Sequence, residues 1–377
     1  MSTTTTMSYV QELNSIIGDI ISPSARSTDK TATFPRANIT ALGQAGILGL
    51  ISSKEVGGMG LGLREAAAVV EAISKVCPST AMIVTMHYCA TAVLEKLGSE
   101  TLRREIAAGK HLSTLAWSEQ GSRSHFWAPL GTAKRDGNGF LLSGKKTMVT
   151  SAKEADSYIW SSKPVEKEGA SSLWLVEKNN PGLNVPNPFD GLGLRGNASA
   201  PMSAENMKVS ASAMLGADGS GFDVMIGVVL PVFNILNASY ALGLSESVLS
   251  SSIAHVTGSN FEHLSSPLAS LPTVRAYLSR ARIQTDMIRT LRDDTLTAIQ
   301  ENRPDAMLRV MEIKAAASEA ALEVTDTAMR VCAGAAFRKD VDIERFFRDA
   351  RAAHIMAPTS DVLYDFIGKA ICNMPVF

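Results

Sequence analysis

The apolar pattern of this chain changes period twice, near residue 114 and again near residue 214, and few architectures accommodate that order. Up to residue 113 the spacing is helical. Met82, Val84, Met86, Ala90, Val93 and Leu97 fall in one helix that Pro78-Ser79-Thr80 can start and Gly98 can end. Val10–Ser22 and Ile39–Leu50 read as earlier helices, with Pro23–Arg36 a loop between them. A Gly-rich turn, Gly57-Gly58-Met59-Gly60, precedes a further helix. It lacks the preceding strand and following Lys-Ser/Thr of a phosphate cradle, so its expected role is structural. From 114 to 213 short β-prone runs such as Ser157–Lys163 and Ser172–Lys178 alternate with turn residues, and Asp136-Gly137-Asn138-Gly139 marks a hairpin. From 214 onward long helical runs return. Phe222–Val256 is expected to kink at Pro231, Ser270–Gln300 follows, and a third run ends at Gly334.

The expected fold is therefore mainly α with a central β domain: an N-terminal helical domain (1–113), a small β-barrel or sandwich (114–213) and a C-terminal four-helix bundle (214–377). With 377 residues, 45% of them hydrophobic, the chain can build several cores. A net charge of −1 gives no electrostatic footprint for nucleic acid or an acidic membrane surface. Cys77, Cys89, Cys332 and Cys372 are too dispersed to indicate a metal site or a disulfide framework. No basic, apolar leader opens the chain and no stretch approaches ~18 uninterrupted apolar residues, so a cytoplasmic protein is expected.

Near the C-terminus the sequence reads helix, break, helix. Asp342 can cap the first helix, Pro358 disfavours helix at Ala357, and Thr359 can cap the second. The second carries an apolar stripe of Val362, Leu363, Phe366, Ile367, Ala370 and Ile371. The run Arg348-Asp349-Ala350-Arg351 followed by Thr359-Ser360-Asp361 resembles the C-terminal signature of the acyl-CoA dehydrogenase superfamily, and the order of helical, β and helical regions resembles that family along nearly the whole chain. The resemblance implies a flavoprotein holding FAD, or alternatively FMN or a diffusible reduced flavin. It implies flavin contacts at Trp117, Ser118, Gly121 and Ser122, at Thr150 and Ser151, at Gly334, and at Thr359 and Asp361. Met148 stands where the family usually has an aromatic residue, and Arg195, in Gly193-Leu194-Arg195-Gly196, is expected to be a structural ion-pair partner. A homo-oligomer, a dimer of dimers in the family's manner, and an electron-transfer or flavin-reductase partner are also implied.

The departures concern chemistry. Ala357 occupies the position of the family's catalytic glutamate, and Phe233-Asn234 occupies the alternative base position on a bundle helix. The arginine run that reaches the FAD pyrophosphate in many relatives is replaced by Phe261–Pro267. Histidine titrates in the useful range, so His87, His125 and His354 are the candidate bases, with His263 a further histidine in the altered run. Three readings follow. The first is a flavin-dependent oxidoreductase acting on an acyl thioester-like or other carbonyl substrate with a relocated base. The second is a flavin-dependent monooxygenase acting on an aromatic, sulfur or nitrogen centre. The third is a catalytically silent scaffold.

Overall fold

The computed structural model describes residues 3–122, 124–262 and 265–376. His263 lies outside them. Twelve α-helices and ten strands are found among the described residues, and they sort into two compact units. One unit takes the chain up to Ala66, then Met82–Gly191 and Arg195–Phe233. The other takes Ala67–Ala81, Leu192–Leu194 and Asn234–Phe377.

The N-terminal helices are α1 (Thr3–Ile16), α2 (Ser22–Thr31), α3 (Arg36–Gln44), α4 (Leu63–Ser74), α5 (Pro78–Leu97) and α6 (Glu100–Ala107). The loop expected over Pro23–Arg36 is a helix for most of its length. A π turn at Ile17–Ile21 leads directly into α2, so Pro23 lies within a continuous helical run, just after the wider turn that accommodates its missing N–H. Ser99 caps α6 by accepting the Leu102 N–H at 3.4 Å.

The β region contains two four-stranded sheets. The first has the order β1 (Ser113–Ala116), β4 (Ser157–Ser162), β5 (Ser172–Glu177), β8 (Met214–Leu215). The second has the order β2 (Thr132–Asp136), β3 (Gly139–Val149), β7 (Ala200–Ser210), β6 (Leu183–Asn184). β1 runs parallel to β4 in register Ser113↔Ser157, and every other pairing in these two sheets is antiparallel. The hairpin joins Asp136 to Gly139 as expected. All six residues of β4 are buried, which is why Tyr158, Ile159 and Trp160 follow one another without polar alternation. Arg195 pairs with Asp190 at 2.5 Å and donates to the Asp29 carbonyl at 3.0 Å, the structural role expected of it.

The C-terminal region opens with α7 (Gly221–Val224) and a π turn (Met225–Val229), then α8 (Leu230–Gly258). Pro231 falls in the first turn of α8, so the irregularity expected there is the π turn just before it. A short ladder of β9 (Asn260–Phe261) and β10 (Ser266–Pro267) precedes α9 (Pro272–Gln300), α10 (Ala306–Cys332), α11 (Ile343–Ile355) and α12 (Ser360–Ile371). The helical run Gly221–Gly258 is long and apolar enough to cross a bilayer, but 78% of its most apolar window is buried inside the protein, which identifies a core helix.

The Gly-Leu-Arg-Gly turn and the Arg-Asp run of α11 bind each other. The Leu194 N–H donates to Asp349, which is 1% exposed, at 2.6 Å, and Arg348 donates to the Leu192 carbonyl at 2.9 Å. A Cβ added at Gly193 would lie 2.6 Å from the Arg348 carbonyl oxygen, so only glycine fits without backbone movement. Gly193→Ala is expected to destabilise the protein by about 1–3 kcal/mol, read as a lowered denaturation midpoint.

Candidate functional site

In the first unit, the segment leaving β1 is tied to β3. The Thr147 N–H donates to the Ser118 carbonyl at 2.9 Å, and Glu119 and Lys146 form an isolated bridge. Trp117 is buried and stacks on Phe126 with ring centroids 5.8 Å apart. Gly121 adopts φ +97°, a backbone state that favours glycine. The Ser122 hydroxyl donates to the Glu119 carbonyl at 3.0 Å, so it braces the turn. Beyond β3, Thr150 and Ser151 are 3% and 2% exposed, and the Ser151 N–H donates to the Asn197 carbonyl at 2.9 Å. The large apolar side chain this strand presents outward is Met148, 58% exposed.

Two candidate histidines also belong to this unit. His87 is fully buried, accepts the Ser113 N–H at Nδ1 (3.2 Å) and donates from Nε2 to the Leu48 carbonyl (3.2 Å). Burial pushes its pKa down to about 4. With both nitrogens engaged and no exposure, His87 is a neutral packing residue, which corrects the expectation of His87 as a candidate base. His125 is exposed, bonds through Nδ1 to the Ser122 carbonyl (3.2 Å), and packs edge-on against Trp127 at 5.1 Å.

In the second unit, α11 and α12 meet at the break Met356–Thr359, where the Ala357–Pro358 peptide is cis. Asp342 is the N-cap residue of α11 through its carbonyl, which accepts the Phe346 N–H at 3.2 Å; its backbone adopts φ +61°, and its carboxylate makes no capping bond but accepts from Arg345 Nε at 3.3 Å. Thr359 is the N-cap residue of α12 through its carbonyl, which accepts the Leu363 N–H at 3.0 Å; its side chain makes no capping bond. Two side chains of α10 close the end of α11. Lys314 Nζ donates to the Ala353 carbonyl at 3.1 Å and Ser318 Oγ at 3.0 Å, satisfying an acceptor in the last turn that has no helical donor. Lys314 is fully buried, and burial pushes its pKa down to about 7 against the opposing field of Glu319.

His354 sits beside this cap. Its Nδ1 lies 2.9 Å from Glu319 Oε1 and 3.1 Å from Ser360 Oγ. An Nδ1–H held by a carboxylate leaves Nε2 as the lone-pair nitrogen, the orientation a general base requires. Ala357, three residues on, has no group that can accept a proton. Asn234 is fully buried and donates to the Val310 carbonyl at 3.0 Å, so it is not a base either.

Comparison with known proteins accounts for this layout. Residues 5–109 match the family model for the N-terminal domain of acyl-CoA dehydrogenases, 114–207 the middle domain and 219–372 the C-terminal domain. The chain belongs to the acyl-CoA dehydrogenase superfamily. The short-chain specific acyl-CoA dehydrogenase of Bos taurus mitochondria is 28% identical over 348 residues, covering 90% of this chain and 83% of that protein. Among solved structures, butyryl-CoA dehydrogenase from Megasphaera elsdenii superposes with a TM-score of 0.91 at 20% identity, covering 99% of each chain. PigA with FAD and proline superposes with a TM-score of 0.90 at 19% identity, covering 99% of this chain and 98% of PigA. This acyl-CoA dehydrogenase-family protein is thus a flavin-dependent oxidoreductase in its general class.

The residues present fit a flavin. The buried Trp117 Nε1–H has no acceptor among the described residues, a deficit that a carbonyl-bearing group can relieve. Ser118 is half-buried, and Met148 offers a soft, polarizable surface for an aromatic ring. In the second unit, Thr359 is half-buried and Asp361 exposed at the start of α12. Gly334 does not end α10 by its own conformation, because the positive φ of 45° belongs to Ala333. A Cβ at Gly334 would meet nothing within 4 Å, so packing within this chain does not require glycine there.

Three functional side chains escaped the sequence reading: Lys146, Lys314 and Glu319. Lys314 had a usable signal, because a lysine three residues after Met311 and four after Val310 lies on the apolar stripe of its helix. A charge on a buried stripe marks a polar partner in the core.

Proposed function

We propose that this chain removes hydrogen from an acyl thioester or a related carbonyl compound, with His354 as the base that takes the α-proton and Glu319 as the residue that orients it. FAD is the group that fits, and when bound it would supply the hydride acceptor. The observation carrying this reading is the 2.9 Å pair between His354 and Glu319, three residues from the position where Ala357 replaces the family's glutamate. His125 makes a carbonyl contact at Nδ1 and His87 is sealed in the core, which favours His354, whose Nδ1 faces a carboxylate, among the three candidates.

A second reading, oxygenation of a substrate by dioxygen through reduced flavin, is favoured by one feature: Phe261–Pro267 contains no arginine to anchor a pyrophosphate. Turnover under isotopically labelled dioxygen separates the two. Anaerobic loss of flavin colour with a panel of acyl-CoA thioesters supports the dehydrogenase, whereas label in the product supports the oxygenase. A protein that binds no flavin would match the silent-scaffold reading and sink both.

Assembly as a dimer of dimers is part of the proposal. Ile283 and Met287 on α9, with Ile371 and Met374 at the C-terminal end, are between 57% and 65% exposed, apolar surface of the kind that subunit contacts cover. Sedimentation is expected to give a tetramer, and a monomer at micromolar concentration would contradict it.

A further inference from the structure

The most deeply buried ion pair of the first unit joins the two segments that the flavin reading uses. Lys146 has no exposed side-chain surface and directs its three donors to Glu119 Oε1 (2.6 Å), the Ser161 carbonyl (2.7 Å) and Ser161 Oγ (2.9 Å), with the Trp160 ring centroid 4.7 Å away. Glu119 in turn accepts the backbone N–H groups of Leu130 and Gly131. One charge pair therefore holds the segment after β1, its return at Leu130–Gly131, and strands β3 and β4. Burial pushes the Lys146 pKa down to about 8 while Glu119 raises it, so the ammonium persists at neutral pH because the carboxylate faces it.

Such a pair is an expensive way to fill a core, since apolar residues of similar size are commonly as stable. What it adds here is register. The pairing of β3 with β7 slips between Lys146 and Val149, so ladder hydrogen bonds alone do not fix where Met148, Thr150 and Ser151 lie relative to Trp117–Ser122. We infer that Glu119 and Lys146 are positioning residues for the cofactor, their pair locking the Trp117–Ser122 segment to β3 in the arrangement that flavin binding requires. This rests on the flavin reading above.

The test uses the full chain stripped of flavin, with FAD affinity measured by fluorescence quenching, bound-flavin geometry by visible circular dichroism, and stability by denaturation of the apoprotein. Glu119→Gln is expected to bind FAD at least roughly tenfold more weakly and to change the visible dichroism of the bound flavin, with unchanged far-ultraviolet dichroism. Lys146→Met alone leaves a buried carboxylate unpaired and can unfold the chain. The second arm is therefore the double variant Glu119→Gln/Lys146→Met, which removes both charges and is expected to fold yet still bind FAD weakly. Wild-type affinity and dichroism in both variants, with only stability lowered, would overturn the assignment and leave the pair a simple brace. Failure of the wild type to bind FAD would overturn the flavin reading and this assignment with it.

Discussion

Replacing His354 with alanine is expected to lower the rate of anaerobic flavin reduction by an acyl thioester by roughly 10²–10⁴-fold, the usual contribution of a positioned general base. Substrate binding should change far less, because the imidazole acts on the proton being removed and not on the bulk of the ligand. Glu319→Gln is expected to give a smaller loss, roughly tenfold, since it keeps an acceptor for the Nδ1–H but removes the charge that stabilises the imidazolium. Adding Ala357→Glu to the His354→Ala variant restores a carboxylate where the family keeps its base, and it should recover part of the lost rate. Rapid-reaction absorbance of the flavin reads all three variants. If His354→Ala reduces at the wild-type rate, the base lies elsewhere.

Lys314→Met is expected to change how stability depends on pH. In the unfolded chain this lysine titrates near its ordinary value of 10.5, whereas burial holds it to about 7 in the folded protein. Between those values the unfolded state binds the extra proton, so the lysine's contribution to stability rises with pH across that window. Below about pH 7 both states are protonated and the burial penalty is fully present. The penalty amounts to about 3–5 kcal/mol, offset in part by about 1 kcal/mol from the bond to the Ala353 carbonyl. Lys314→Met, similar in volume, should lose the rise between neutral and alkaline pH and be more stable than wild type near neutrality. Denaturant unfolding of the apoprotein at several pH values measures it, and parallel curves for the two proteins would show that Lys314 is solvated. A buried lysine of α10 kept at such cost against the last turn of α11 fits a need to fix where the Met356–Thr359 break begins.

Much of the architecture was legible because burial imposes periodicity. The hairpin at Asp136–Gly139, the aromatic and branched residues at Tyr158–Trp160 in β4 and Leu173–Val176 in β5, and the helices ending near Gly98 and Asn302 all follow from local rules. β7 was harder, because Ala200–Ser210 pairs along β3 yet carries few strand-forming residues; its partner defines it, not its own composition. The misread loop after Pro23 has a specific cause, since proline breaks a regular helix interior but is accommodated here by the π turn before it. Asp342 has a capping side chain by type, but Arg345 captured its carboxylate.

The candidate site was legible in its losses more than its gains. Ala357 and Phe233 could be recognised by position alone as standing where a base is missing. The polar pairs around the candidate site are distant in sequence: Glu319 with His354, Lys314 with Ala353, Glu119 with Lys146. No local rule reveals such pairs, and His87, attractive as a titratable group, proved to be sealed between two backbone partners.

The central claim is that proton removal at the substrate's α-carbon belongs to His354. Its most direct measurement is mass-spectrometric hydrogen exchange at that carbon, with a panel of short-, medium- and long-chain acyl-CoA thioesters incubated anaerobically in deuterated buffer with wild-type protein and with His354→Ala. Deuterium incorporation catalysed by the wild type and lost in the variant is the predicted result; incorporation by His354→Ala at the wild-type rate would contradict it.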